Sequence, residues 1–341
     1  MDTNPQSYIL SDEDSQAIFE RDIIPLELGA LSAEVPTPSD GLNGTPRTPL
    51  AVLLIGQTGA GKTRTAPALK SAMIQLRGAS RLAHFVADTY KTYHPSYRAI
   101  LAARPALASP ATGPDARRWL AMAAAHAASQ RADVLIESAA RHPADFADLV
   151  WLFRDRGYRV EVAVLAVPAA LSRLGILTRF HEKLPEAGPA GGLPVRLTPR
   201  KVHDDSYAGL LEAAAFVDES GFVDQVVVVR RDNVVAYANE RDDVGGWKGG
   251  PGAAKAVRAE RERPLTSIEK TGALESLRRL RGMDVPGLEG QLEEIEELLK
   301  PLLVDSDASV YTPLKPLSLP DSAHDERFDS DAGLRLGTIP L

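Results

Sequence analysis

Leu50-Ala51-Val52-Leu53-Leu54-Ile55-Gly56-Gln57-Thr58-Gly59-Ala60-Gly61-Lys62-Thr63 is the stretch whose reading decides the fold. Its first six residues are apolar without interruption and stop at Gly56, as expected of a strand buried on both faces. The last eight spell G-x-x-x-x-G-K-T. Gly56, Gly59 and Gly61 let the backbone curl, so that the N–H groups of Gln57, Thr58 and Ala60 can face an anion. The helix that follows adds its positive end. Lys62 would reach the β- and γ-phosphates of a bound ATP, and the Thr63 hydroxyl would ligate Mg²⁺. The motif needs a buried strand before it and a helix after it, and the sequence supplies both.

Outward from this segment the pattern alternates. The periodicity predicts helix 62–77, a strand at 84–87, helix 114–130 and a strand at 132–137. Helix 143–156, strand 158–167 and helix 168–184 come next, then helix 205–219. Val226–Arg230 and Val234–Tyr237 read as strands that pair across Arg231-Asp232-Asn233. Strands separated by helices of this length predict an α/β fold, a P-loop NTPase/kinase-like parallel sheet with helices on both faces. Ahead of it, residues 8–28 read as a helix that starts at Ser11 and Asp14, and Glu34–Pro49 reads as a Pro/Gly/Thr-rich linker. After Gly245–Gly252, two helical stretches are expected at 253–281 and 287–300, then a Pro-, Ser- and Asp-rich tail read as mostly disordered. The division is 1–49 leading helix and linker, 50–244 kinase-like domain, 245–303 helical extension and 304–341 acidic tail.

Composition removes several classes. The 341 residues carry 39 Lys+Arg against 46 Asp+Glu, with 44% apolar residues and no cysteine. Disulfide scaffolds, thiolate catalysis and Cys-ligated metals are thereby excluded. No apolar run long enough to span a membrane and no secretory signal is visible, so the reading is cytoplasmic and without a membrane partner. Residues 284–341 hold 13 acidic and four basic side chains, which leaves the rest near neutral. A near-neutral body with an acidic end argues against a nucleic-acid partner.

The loop says nucleotide without saying what becomes of it. There is no N-K-x-D motif, so a switch-type GTPase is not supported. Phosphoryl transfer to an alcohol needs a carboxylate to take the hydroxyl proton and cations to meet the developing charge. Asp88 follows the apolar His84-Phe85-Val86-Ala87 and opens the polar segment that contains Lys91; it is the preferred base, with a helix cap as the plain alternative. Glu137 ends Val134-Leu135-Ile136 and would hold the acceptor's hydroxyls or the metal, or simply close a strand. Arg141, Arg179 and Arg196 are candidate cations, although arginines taken singly are more often solvated. The seven histidines show no metal-ligating spacing, and 287–300 reads as an acidic amphipathic helix with a solvated face.

The ordered set of motifs resembles the zeta toxin family of bacterial toxin–antitoxin systems. The segments are Ile18-Phe19-Glu20-Arg21-Asp22-Ile23-Ile24-Pro25, Gly56–Thr63, Asp88-Thr89-Tyr90-Lys91 with His94-Pro95, and Leu135-Ile136-Glu137 with Arg141. Ala166-Val167-Pro168 through Arg179, and Arg196 with Thr198, Pro199 and His203, complete the set. The resemblance implies a P-loop kinase that uses ATP and Mg²⁺ to phosphorylate UDP-N-acetylglucosamine. It implies Asp88 as base, Glu137 and Arg141 on the sugar nucleotide, and Arg179 and Arg196 clamping the phosphates. It also implies a small helical antitoxin as partner, expected as a separate protein because the leader of about 45 residues is short for a fused one. Two positions depart from the family pattern. Ala139 stands where a threonine hydroxyl is usual, and Ala121 falls where an acidic residue is expected 16 positions before Glu137. The ATP half is intact and the acceptor half is altered. A kinase for another hydroxylated metabolite or antibiotic, and an ATP-binding interaction module, remain the alternatives.

Overall fold

The computed structural model describes residues 3–31, 47–77, 81–182 and 197–304. Six strands form one sheet in the order β2-β3-β1-β4-β5-β6. They are β1 (Leu50–Gly56), β2 (Leu82–Val86), β3 (Asp133–Ser138), β4 (Arg159–Leu165), β5 (Gln225–Val229) and β6 (Val235–Glu240). All neighbours run parallel except β5 and β6, which form the antiparallel pair expected across Arg231-Asp232-Asn233. Every residue of β1 is buried, because β3 and β4 flank it and helices cover both faces.

The period-two alternation of the strands sorts the core into two layers. Ala51, Leu53 and Ile55 of β1, with Val160, Val162 and Val164 of β4, face one cluster. That layer is covered by α4 (Pro105–Ser129), α5 (Pro143–Asp155), α7 (Arg200–Glu219) and α8 (Ala253–Glu262). Leu50, Val52 and Leu54 face the other cluster, with Ala163 and Leu165. There α2 (Lys62–Arg77), α6 (Ala169–His181), α9 (Ser267–Arg281) and α10 (Leu288–Leu299) form the cover. At the amino end of the sheet, Asp133 takes Arg77 in a two-pronged ion pair at 2.8 and 2.9 Å and accepts the Leu50 N–H at 2.8 Å. One buried carboxylate thus ties α2, β1 and β3 together.

Several boundaries differ from expectation, for local reasons. The leading helix begins as α1 (Asp12–Ile18), capped by Ser11 as the sequence suggested, but widens into a π-helical stretch over Phe19–Leu28. Pro25 lies inside that stretch and cannot donate a backbone hydrogen bond, which favours a wider turn. The helix expected from 114 starts at Pro105 and runs through Pro110 and Pro114, after a separate α3 (Tyr97–Ala103). Buried Ala108, Ala111 and Ala116 hold it in place, so packing outweighs the two missing donors. The strand expected at 84–87 occupies 82–86, and the helix expected at 205–219 starts five residues earlier at Arg200. The stretch expected at 253–281 is two helices, because Pro264 breaks it and Thr266 with Glu269 forms a capping box that restarts it. Residues 32–46 of the expected linker and the tail from 305 lie outside the described residues. No helix among the described residues is long and apolar enough to cross a membrane.

The segment 253–302 shares the core rather than standing apart from it. Leu277, Leu280, Leu292 and Ile295 pack in the same cluster as Leu50 and Val52. A buried chain of charges joins it to β5: Arg230 pairs with Glu260 at 2.5 Å, and Arg263 bridges Glu260 at 2.6 Å and Glu269 at 2.7 Å. Glu269 lies below its ordinary carboxylate range despite its burial, because Arg263 and Thr266 hydrogen-bond its charged form. Replacing Glu260 would leave two buried arginines short of a partner. Glu260→Ala is expected to lower the unfolding free energy by about 3–5 kcal/mol, read as a shift of the urea midpoint at constant slope.

Candidate functional site: the phosphate loop and its cleft

The phosphate loop leaves the carboxyl end of β1, where open α/β sheets bind ligands. It is held from behind. Gly59 has a φ of 80°, and a Cβ there would stand 2.1 Å from the Ser172 carbonyl oxygen of α6, so no side chain fits. The Gln57 side-chain amide donates to the Val167 carbonyl at 2.6 Å, and the Thr58 N–H donates to Ser206 Oγ at 3.2 Å. Lys62 Nζ donates back to the Gly56 carbonyl at 2.7 Å, across the mouth of the loop. Thr63 is exposed in the first turn of α2.

Two arginines, Arg231 half-buried and Arg261 buried, brace this loop. Arg231, in the β5–β6 turn, donates to the Gly59 carbonyl at 2.6 Å and to the Leu171 carbonyl at 3.2 Å. Burial, aided by Arg64 and Arg179, pushes its pKa down to about 10, so it stays charged at neutral pH. Arg261 of α8 stacks 3.6 Å over the Tyr207 ring and approaches Gln57 Oε1 at 3.5 Å. Burial brings it to about 10 as well. Neither was expected as part of the site. Nothing in the spacing of Arg231 marks it, since it reaches the loop only because β5 ends beside it; Arg261 arrives from a helix more than 190 residues further along the chain.

A cleft of about 590 Å³ opens beside the loop. Thr58 and Lys62 line it, and so do Asp88, Lys91, Glu137 and Arg141. The structure therefore gathers the proposed phosphate lysine, base and acceptor residues, drawn from three separate segments, into one space. Asp88 is 41% exposed at its side chain and pairs with Lys91 Nζ at 2.5 Å; Lys91 also donates to Ser109 Oγ at 2.9 Å. Asp88 stands at the N-cap of the short 3-10 turn Thr89–Tyr93, but its side chain makes no capping hydrogen bond. Glu137 is buried at the end of β3, with His84 Nε2 2.9 Å from its Oε1. Arg141 reaches Asp205 at 2.8 Å. The hydrogen bond from Lys201, with Arg141 adding to it, holds Asp205 below the usual carboxylate range. Between Glu137 and Arg141 the chain turns through Ala140 at a φ of 48°, a left-handed conformation that costs an alanine energy and marks a forced turn. Ala121 and Ala139 both line the cleft, so the two departures fall on the site itself. Arg179 lies in the last turn of α6, on the Arg231 side of the loop and not on the cleft wall. Arg196 lies outside the described residues. Among the described residues no cluster of three or more His, Asp or Glu side chains has metal-holding geometry.

A phosphate loop at the carboxyl edge of a mostly parallel, helix-covered sheet, opening on a cleft lined by carboxylates, defines a P-loop kinase-like protein. A profile of the zeta toxin family matches residues 39–242, well over half of the sequence, and the chain belongs to that family. It is 26% identical over 194 residues to Toxin PezT of Streptococcus pneumoniae, covering 57% of this chain and 73% of that protein. It is 24% identical over 191 residues to Toxin zeta of Streptococcus pyogenes, covering 56% of this chain and 63% of that one. A solved structure of the PezAT chromosomal toxin–antitoxin system of S. pneumoniae superposes with a TM-score of 0.56 at 20% identity. That likeness spans 85% of this chain and 99% of the other, and it shows the shared fold.

Behind the loop, His203 of α7 faces Ser172 Oγ at 2.8 Å through Nε2 and Asp204 at 3.0 Å through Nδ1. Both Ser172 and His203 are fully buried, so this serine–histidine–aspartate order is a strut between α6 and α7 rather than a nucleophile. Burial lowers the His203 pKa, with Asp204 partly opposing it. The folded state therefore binds its proton less readily than the unfolded chain does. The stability tied to neutral His203 is present above the unfolded value of about 6.5 and is lost as the pH falls through the lower folded value. His142 and His181, also lowered chiefly by burial, act in the same direction. Melting temperature is expected to fall from pH 7 to pH 5, and His203→Gln should flatten that slope in scans across the range.

Proposed function

We propose that the chain is an ATP-dependent phosphotransferase that moves the γ-phosphoryl group of ATP to a hydroxyl of a small-molecule acceptor. The observation that carries this is the shared cleft of Lys62 and Asp88, which supports reading the first as the phosphate lysine and the second as the base. The acceptor hydroxyl gives its proton to Asp88 as its oxygen bonds the γ-phosphorus. The bond from that phosphorus to the bridging oxygen breaks, and ADP departs. Lys62 and the loop N–H groups meet the charge on the departing side. Lys91 holds the Asp88 carboxylate in place, while Glu137 and Arg141 orient the acceptor. Thr63 offers an exposed hydroxyl beside the loop, which suits a hard divalent cation; Mg²⁺ bound there would shield the β- and γ-phosphates. Arg179 and Arg196 are assigned to the outer phosphates, the latter on the family resemblance alone.

UDP-N-acetylglucosamine is the acceptor that the resemblance puts first. A separate antitoxin protein is the partner it implies, in line with the toxin–antitoxin system named for the PezAT structure. A cytoplasmic location fits both.

Purified protein with Mg-ATP and UDP-N-acetylglucosamine, followed by mass spectrometry for one added phosphate, tests the chemistry. Asp88→Asn is expected to lower turnover by about 10²–10⁴-fold while leaving ATP affinity within a few-fold by calorimetry. Full activity of this variant would remove Asp88 from the base role, and lost ATP binding would make it a structural residue. Arg231→Met, which deletes a charged hydrogen-bond donor under the loop, should weaken ATP binding about tenfold. Arg231→Lys should recover part of that loss, and a titration of all three proteins provides the comparison.

A further inference from the structure

Arg261 lies behind the phosphate loop as a buried cation without a counter-charge. It is 7% exposed, and its Nε is buried without a hydrogen-bond partner. Among the described residues no carboxylate pairs with it. Glu260, next to it in the chain, is taken by Arg230 and Arg263, and Glu262 is exposed. Its contacts are the Tyr207 ring, 3.6 Å away at the centroid, and Gln57 Oε1, at the 3.5 Å limit of a hydrogen bond. Burial lowers its pKa only to about 10, so the charge persists at neutral pH. Its helix is pinned at both ends. Asp218 of α7 accepts the N–H groups of Gly252, Ala253 and Ala254 at 2.9, 2.8 and 3.0 Å. At the other end Glu260 holds the last turn of α8 to Arg230.

An unpaired cation is costly to bury, and the face of one tyrosine ring offsets only part of that cost. The cost falls when an anion arrives on the far side of the loop, because charges act over longer distances in a poorly solvated interior than in water. Gln57 stands between the two. Its amide nitrogen is committed to the Val167 carbonyl at 2.6 Å, which turns its oxygen toward Arg261. Binding free energies are reciprocal: a loop that holds phosphate better with Arg261 in place also holds Arg261 better with phosphate bound.

We propose that Arg261 is a positioning residue of the nucleotide site, a fixed cation that holds Gln57 and raises the loop's affinity for a polyphosphate, so that ATP binding and the docking of α8 are coupled. This rests on the nucleotide reading of the loop and extends the site beyond residue 242, where the family match ends. Calorimetry on the full chain compares wild type with Arg261→Met, which keeps an unbranched stem and removes the charge. ATP should bind about tenfold more weakly to the variant, and Arg261→Lys should recover part of the loss. Without nucleotide the melting temperature should stay at or above the wild-type value, because a buried unpaired charge has gone; the rise caused by ATP should shrink. Arg258→Met removes the same charge from an exposed position of α8 and should leave ATP affinity within about twofold. Hydrogen exchange gives a check that needs no variant: ATP should slow exchange across residues 253–262 of the wild-type chain. An Arg261→Met affinity within about threefold of wild type, an equal loss in Arg258→Met, or no protection of 253–262 would overturn the proposal. A lower melting temperature before ATP is added would also overturn it, since that marks a packing residue. No ATP binding by the wild-type chain would sink the nucleotide reading as well, whereas ATP binding indifferent to Arg261 would sink this inference alone.

Discussion

The contact on which the site depends is the approach of the phosphate loop to α6. Gly59 turns with positive φ where the Ser172 carbonyl leaves no room for a Cβ, so the loop packs directly on α6 at this point. The glycines permit this shape, but they do not enforce it, since an isolated glycine-rich turn samples many conformations. Enforcement comes from Gln57 on the Val167 carbonyl, Ser206 on the Thr58 N–H and Arg231 on the Gly59 carbonyl. These partners come from the β4–α6 connection, α7 and the β5–β6 turn. The loop is therefore shaped by elements that lie far from it in the chain.

That bracing explains how the last helices relate to the site. Arg261, held on Tyr207 beside Gln57, comes from α8, and the Arg230–Glu260–Arg263–Glu269 chain fixes α8 to the end of β5. Buried ion pairs of this kind contribute little net stability when intact, but they are costly to break. Here they fix where α8 lies, and with it the back of the loop. The family match ends at residue 242, so Glu260, Arg261, Arg263 and Glu269 come from outside the matched region, while their partners Arg230 and Tyr207 lie within it.

The two halves of the cleft differ in how they were built. On the phosphate side, Lys62 Nζ rests on the Gly56 carbonyl at 2.7 Å and would exchange that bond for a phosphate oxygen. On the acceptor side, Glu137 is set by the end of β3, Asp88 by the end of β2, and the rest by the facing stripes of α4 and α5. A forced left-handed Ala140 turns the chain between them toward Arg141. The polarity of that wall follows from single side chains, and this is where Ala121 and Ala139 matter.

The buried run Leu50–Ile55 and the glycine–lysine–threonine spacing after it were enough to place the strand, the loop and the α/β class, because both are local signals written in consecutive residues. The alternation of later strands and helices, the β5–β6 pair and the Ser11 cap were legible for the same reason. Asp88 and Glu137 were legible as residues at strand ends, and so as candidates, since strand ends in such sheets face the ligand. The long α4 was misread at Pro110 and Pro114, where helix propensity yields to packing, and the break at Pro264 was missed within an otherwise helical stretch. Arg231 and Arg261 carried no local signal at all. The sequence by itself determined the strand–loop–helix unit, because that unit is contiguous. Only the tertiary structure decided which distant side chains brace the loop and that Ala121 and Ala139 share one wall with Asp88, because strand order and helix packing set those distances.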